Sequence, residues 1–222
     1  MHNHLPRQAR YLFPKWSNRL PFYFLVGFFG LILFLIFVFW YWLSPKHTDV
    51  GYQPKQPIPY SHRLHAGQLG IDCRYCHGNV EKSSSAGVPP TEICMNCHRV
   101  VKPNSPLIKK IHDSFQTGQP IRWVKVHALP DYVYFDHSRH VNSGVSCYDC
   151  HGRIDQMKEV HQVQPLSMSW CLDCHRNPDK HLRPKEFLTT LDWSSPNPEA
   201  VGRDIRQKNH IRPREDCSTC HR

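Results

Sequence analysis

Beyond residue 43 this chain has few aliphatic side chains, and those it has are scattered. A 222-residue polypeptide of that kind is short of material for an all-protein core. Acidic residues are missing from positions 1–19, where Arg7, Arg10, Lys15 and Arg19 stand, and no charge of either sign lies between Arg19 and Lys46. There is no C-x-x-C-K sequence, and no cysteine lies outside a C-x-x-C-H sequence. These absences speak against an ordinary globular enzyme. They leave two things to account for: a long uncharged run, and an unusual stock of ten cysteines and 17 histidines.

The uncharged run, Leu20 to Leu43, is apolar and aromatic apart from Pro21 and two glycines. At about 1.5 Å per residue it would span roughly 36 Å as a helix, enough for the hydrocarbon layer with some tilt. It is longer than the apolar part of a cleaved signal peptide and ends in Phe39-Trp40-Tyr41-Trp42, aromatics suited to a membrane interface. A transmembrane helix is expected over 20–43. The basic, acid-free flank places residues 1–19 in the cytoplasm and everything after Leu43 on the outer, periplasmic face of a bacterial inner membrane. Residues 44–59, with Pro45, Pro54, Pro57 and Pro59, read as an extended, semi-stiff linker, and 60–222 as the domain that carries the chemistry.

All ten cysteines fall into five motifs: Cys73-Arg-Tyr-Cys76-His77, Cys94-Met-Asn-Cys97-His98, Cys147-Tyr-Asp-Cys150-His151, Cys171-Leu-Asp-Cys174-His175 and Cys217-Ser-Thr-Cys220-His221. On one helical turn this spacing lets two thiols reach the two vinyl groups of a haem, while the following histidine points its imidazole at the iron. Zinc ribbons pair C-x-x-C knuckles but need no histidine after each, and five redox-active disulfides in one small domain would be odd. Five covalently bound haem c groups are therefore expected, with His77, His98, His151, His175 and His221 as proximal ligands. Ten haem propionates would also offset the formal charge of +10, so the dispersed Lys and Arg residues need no nucleic-acid partner. With Pro and Gly abundant as well, the expected fold is mostly irregular with short α-helices wrapped round five haems, plus the one N-terminal transmembrane helix.

Residues 60–99 and 133–176 read as two copies of a di-haem unit. The first opens Tyr60-Ser-His62-Arg-Leu-His65, the second Phe135-Asp-His137-Ser-Arg-His140, and each approaches its first cysteine through Gly-apolar-x-Cys. Two histidines three apart on a helical turn diverge enough to address different irons, which makes His62, His65, His137 and His140 candidate distal ligands. The fifth motif, with its approach at 203–222, resembles part of a third copy. His210 precedes Cys217 as His140 precedes Cys147, but the position three residues earlier is Gln207. One haem thus lacks its local distal histidine. Further candidates are His127, His161, His112, His181, Met157 and Met168, of which Met168 stands just before the fourth motif, and a thioether there would raise that haem's potential. His112 lies in a short helix beginning at Ser105-Pro106 and is expected at the surface.

The motifs and the aromatic-x-His-x-x-His openings resemble the cytochrome c3/c7 family. That resemblance implies that His62 serves the haem of His77 and His137 that of His151, while His65 and His140 reach neighbouring haems. The whole arrangement is similar to the pentahaem cytochrome subunit of alternative complex III. It shares with that family the single anchor, the five motifs, the stretch from Ile121-Arg-Trp123 through Pro130-Asp131 to His137, and Pro165-Leu-Ser-Met168-Ser-Trp-Cys171. The resemblance implies an electron-transfer subunit without catalytic residues of its own. Its partners would be an iron–sulfur subunit, polytopic quinol-binding subunits, and a monohaem cytochrome c or terminal oxidase as acceptor. Two other classes fit the chain less well. A self-sufficient NapC/NrfH-like quinol dehydrogenase suits a single anchor, but here the first motif stands far beyond it. A pentahaem nitrite reductase needs an open iron, often marked by C-x-x-C-K.

Overall fold

The computed structural model describes residues 13–221. The basic residues Arg7 and Arg10, on which the expected orientation partly rests, lie outside them. The chain divides into two compact units, with the boundary between Ser44 and Pro45.

The first unit is one helix, Lys15–Trp42, long and apolar enough to cross a membrane. It opens with a 3-10 turn, continues as an α-helix over Leu20–Phe37 with Pro21 in its first turn, and closes in a π turn over Val38–Trp42. Proline is tolerated in a first turn because its missing N–H would have no helical partner there. In the final turn the Phe37 and Tyr41 rings stack, with centroids 5.5 Å apart. None of the α-helical residues is buried, as suits a helix apolar on every face.

The second unit consists of short helices joined by irregular chain, and among the described residues it has no strand, only an isolated bridge between Val145 and Leu182. Its buried hydrophobic side chains are few: Ile58, Met95, Ile108, Ile111, Met157, Leu182, Leu188 and Leu191. The helix Pro106–Thr117 begins at Pro106, ends before Gly118 at φ 70°, and lays Ile108 and Ile111 against Ile58 and Met95. His112, expected at the surface, is half-buried because it shares that helix's inner side, and its Nε2 donates to the His98 carbonyl at 3.0 Å.

The proline-rich stretch, expected as an extended linker, opens instead with the short helix Pro45–Thr48 and a turn, and runs irregularly only from Tyr52, where it is not free. Gly51 N–H donates to the Gln162 carbonyl at 2.7 Å, and Gln56 holds Val124 through both backbone groups at 2.8 and 2.9 Å. Prolines keep the segment open, while Gly51 N–H and the Gln56 amide find partners on the domain. At the other end of the unit the helix Pro198–Lys208 packs on the turn Pro178–His181. The approach is so close that a Cβ at Gly202 would overlap the Asp179 carbonyl, while Arg206 clasps Asp179 at 2.7 Å. This packing carries the chain into the fifth motif.

Candidate haem-binding sites

Each motif forms a helical turn, as its spacing requires, and a polar residue caps most of them. Asp72 accepts from Arg74 N–H, Ser146 from Tyr148 N–H and Ser167 from Trp170 N–H. Asp216 accepts from the Ser218 and Thr219 hydroxyls. Caps matter here because turns this short have almost no hydrogen bonds of their own.

The histidines show one recurring device. His77 Nδ1 donates to the Gly87 carbonyl at 2.7 Å, His98 Nδ1 to Val101 at 3.0 Å, His175 Nδ1 to Arg214 at 2.7 Å and His221 Nδ1 to Tyr132 at 3.1 Å. In the openings, His65 donates to Ser61, His137 to Ser84 and His140 to Asp136, all at 2.8–2.9 Å. A carbonyl can only accept, so in each case the proton sits on Nδ1 and the Nε2 lone pair is left for a metal. Among the motif histidines His151 is the exception. Its Nδ1 meets His127 Nε2 at 3.4 Å, with the two rings nearly perpendicular.

The openings place their histidines in the same way in both copies. Tyr60 stands edge-on to His62 (4.9 Å, 86°) and stacks on His65 (4.4 Å, 22°). Phe135 does the same to His137 (4.8 Å, 86°) and His140 (4.6 Å, 26°). Three opening histidines then face motif histidines: His62 and His77 with ring centroids 6.4 Å apart and parallel, His65 and His98 at 6.2 Å, and His140 and His175 at 6.1 Å. Metal–imidazole bonds of about 2 Å on both sides of one ion put the ring centres roughly 6.3 Å apart. His62 Nδ1 is also buried without a hydrogen-bond partner. Burial, helped by neighbouring imidazoles, holds His62 down at about 4 and His151 at about 3, and pushes His127 and His140 below the usual histidine range. These rings are therefore neutral at physiological pH, the form in which nitrogen binds iron. The donor set fits haem.

Other chemistries fit less well. All ten cysteines are free thiols, and among the described residues no three His, Cys, Asp or Glu side chains converge as a metal cage would require. Burial pushes the Cys150 thiol up to about 12 and Cys174 to about 11, far from the reactive thiolate of a redox disulfide.

The motifs also stand in a definite spatial order. Tyr75 of the first accepts from Asn96 of the second at 2.9 Å, and the Cys76 thiol is close enough to Cys94 to oppose its ionisation. The Cys73 thiol neighbours the Cys147 thiol, and Thr189 ties Asp72 to the segment whose Leu188 carbonyl receives Cys147 N–H. Cys150 of the third motif neighbours Cys171 and Cys174 of the fourth. Arg176, following the fourth, pairs with Glu215 at 3.0 Å just before the fifth, and Cys171 neighbours Cys220. The row runs second, first, third, fourth, fifth. The only exposed cysteines, Cys97 and Cys217, belong to its two ends.

Not every expected site residue falls on an iron-facing pair. His137 lies near His151 but makes no facing ring pair with it. His210, at φ 51°, is exposed beyond the helix Pro198–Lys208, and Met168 begins the helix Met168–Arg176 with 67% of its surface exposed. His181 is engaged by Asp149 at 2.8 Å, and Met157 is buried, its carbonyl receiving Arg63 N–H. The carbonyls of Ser84, Gly87, Arg214 and Tyr132 are functional groups that sequence reasoning missed. Every residue has a carbonyl, so no side-chain signal marks them.

Residues 133–222 match the family described as cytochrome c7 and related cytochrome c. The chain is also 32% identical over 125 residues to the menaquinone reductase multihaem cytochrome c subunit of Nitratidesulfovibrio vulgaris. That match covers 56% of this chain and 57% of the relative, so the chain spans little more than half the length of the curated relative it matches.

Proposed function

With the chain taken as a c7-like multihaem cytochrome c that carries electrons and is related to a menaquinone reductase subunit, we propose that it is the wire of a membrane quinol:electron-acceptor oxidoreductase of the alternative complex III type. It holds five haem c groups through its ten motif cysteines, with His77, His98, His151, His175 and His221 as proximal ligands. His62, His65 and His140 are distal partners of His77, His98 and His175, and His137 serves the third motif. The fifth motif has Gln207 where a local distal histidine would stand, and the candidate ligands left over are His210 before it and Met168 before the fourth motif. Haem, when bound, supplies a one-electron iron couple. What the chain supplies is the spacing, the neutral imidazoles and the order.

The observation that carries this reading is the row of motifs whose two ends alone expose a cysteine. A conductor needs an entry and an exit at the surface and protected relays between them, whereas a catalytic cytochrome needs one open site. Electrons enter from the iron–sulfur subunit of a complex whose polytopic subunits bind quinol, and leave to a monohaem cytochrome c or a terminal oxidase. The Lys15–Trp42 helix anchors the chain in the inner membrane with the haem domain on the periplasmic side. The relative's name favours a second direction, electrons delivered toward menaquinone, along the same row.

Purification in mild detergent tests the reading. The chain should travel with iron–sulfur and polytopic subunits and carry five haems. Isolated from them, it should stay oxidised when mixed with a quinol. Rapid reduction of the isolated chain by quinol would overturn the wire in favour of a NapC/NrfH-like quinol dehydrogenase.

A further inference from the structure

The third motif is the middle of the row, and it is the one whose histidine lacks a carbonyl behind it. His151 Nδ1 meets the Nε2 atom of His127 instead. We propose that His127 is a positioning residue for the third haem site: an imidazole acceptor that orients and polarises His151, and not an iron ligand. The proposal rests on the haem reading above.

The atoms argue for this. If His151 offers Nε2 to iron, its proton must sit on Nδ1, and the neighbour at that nitrogen must be an acceptor. The lone pair available is that of His127 Nε2, which puts His127's own proton on Nδ1 and leaves it no free Nε2 for a metal. Spacing agrees. The two ring centroids are 4.4 Å apart at 86°, whereas the three facing histidine pairs stand 6.1–6.4 Å apart, so no iron fits between His127 and His151. A separate imidazole would serve the same haem, since His137 lies near His151 and has its Nδ1 committed to the Ser84 carbonyl.

The segment bearing His127 is built to hold it. Gln56 clasps Val124 through both its N–H and its carbonyl, Trp123 packs on the buried Ile58–Met95–Ile108–Ile111 cluster, and the chain turns after it where Val133 N–H meets the Pro130 carbonyl. A hydrogen bond from a ligand's outer nitrogen makes that ligand a stronger donor, and stronger donation favours the oxidised metal. His127 thus lowers the potential of the central site by a means different from the backbone carbonyls at the other four.

The test uses the full-length haem-loaded protein. His127→Phe keeps the ring volume and removes the acceptor. It should leave every haem low-spin in EPR while one midpoint potential rises and the others hold. His127→Gln, whose amide oxygen accepts, should return that midpoint most of the way. A high-spin haem in His127→Phe would make His127 an iron ligand, and unmoved midpoints would make it mere packing, so either overturns the proposal. If His127→Phe fails to accumulate with its haems, His127→Gln decides alone: low-spin haems with near-native midpoints support it, and a high-spin haem sinks it. None of these readouts needs a partner subunit, so the proposal and the wire reading fail separately.

Discussion

The two copies of the repeat pack their two opening histidines on an aromatic ring in the same way over different backbone. In the second copy the opening histidines start an α-helix, His137–Ser143, which ends at Gly144 with φ 100°. In the first copy His62 leads into a π turn, Arg63–Gln68. The reason is a single extra residue: Cys73 follows His65 by eight positions, while Cys147 follows His140 by seven. The bond that closes the second opening runs from Val145 N–H to the His140 carbonyl, and its counterpart in the first runs one residue farther, from Ile71 to His65. A π turn takes up the surplus within the opening, as such turns do near functional sites. The aromatic residue makes this tolerable. Tyr60 and Phe135 hold their two histidines at matching distances and angles, so ring packing fixes the opening and the turn type does not.

The strongest way to break this equivalence is to remove one histidine from each copy. His65→Ala and His140→Ala should each convert one low-spin haem to high-spin, those of the second and fourth motifs, to equal extent in EPR of the haem-loaded protein. An effect in one copy only would mean that the matched ring geometry does not report matched ligation.

A smaller difference should appear where the copies meet different surroundings. A Cβ at Gly67 would overlap the Asp155 carbonyl, whereas the corresponding Asn142 reaches out to the Glu81 carbonyl at 2.9 Å. Gly67→Ala should therefore cost about 1–3 kcal/mol by forcing the π turn off its neighbour. Asn142→Ala should cost about 1 kcal/mol for a lost exposed hydrogen bond. Urea midpoints of the two variants measure the ratio.

The smallest effect separates the caps. Asp72 caps the first motif and Ser146 the third. Replacing either by Ala should cost about 1 kcal/mol at neutral pH. Hydrogen bonds from Arg74 hold the Asp72 carboxyl at about 2, below its usual value, with a further bond from Thr189. A carboxylate depressed by folding stabilises above its unfolded pKa and loses that contribution as protons bind. The Asp72→Ala deficit should accordingly be full above about pH 4 and fade as pH falls toward 2. The Ser146→Ala deficit should not depend on pH, and parallel profiles in thermal melts would remove the distinction.

How much could be read in the sequence follows from how local each requirement is. Haem attachment needs two thiols and an imidazole on one turn, so the five motifs are legible as spacing. The helix Lys15–Trp42 is legible because membrane length and apolar composition are both properties of a contiguous run. The openings are legible because an aromatic and two histidines on adjoining turns need only each other. In the proline-rich stretch neither the short helix Pro45–Thr48 nor the docking was legible, since Gln56 finds Val124 only after the fold brings them together.

The tertiary structure alone decided what joins distant segments. The carbonyl that takes His221 Nδ1 comes from Tyr132, the one that takes His175 Nδ1 from Arg214, and in the place of a carbonyl behind His151 stands the ring of His127. The spatial order of the motifs, second before first and then third to fifth, is likewise invisible in a chain that numbers them one to five. The sequence by itself determined which residues carry the haem-attachment spacing, because that spacing is a short-range geometric demand. Which sites are neighbours, and what stands behind each imidazole, depends on contacts between segments whose only shared property is where packing leaves them.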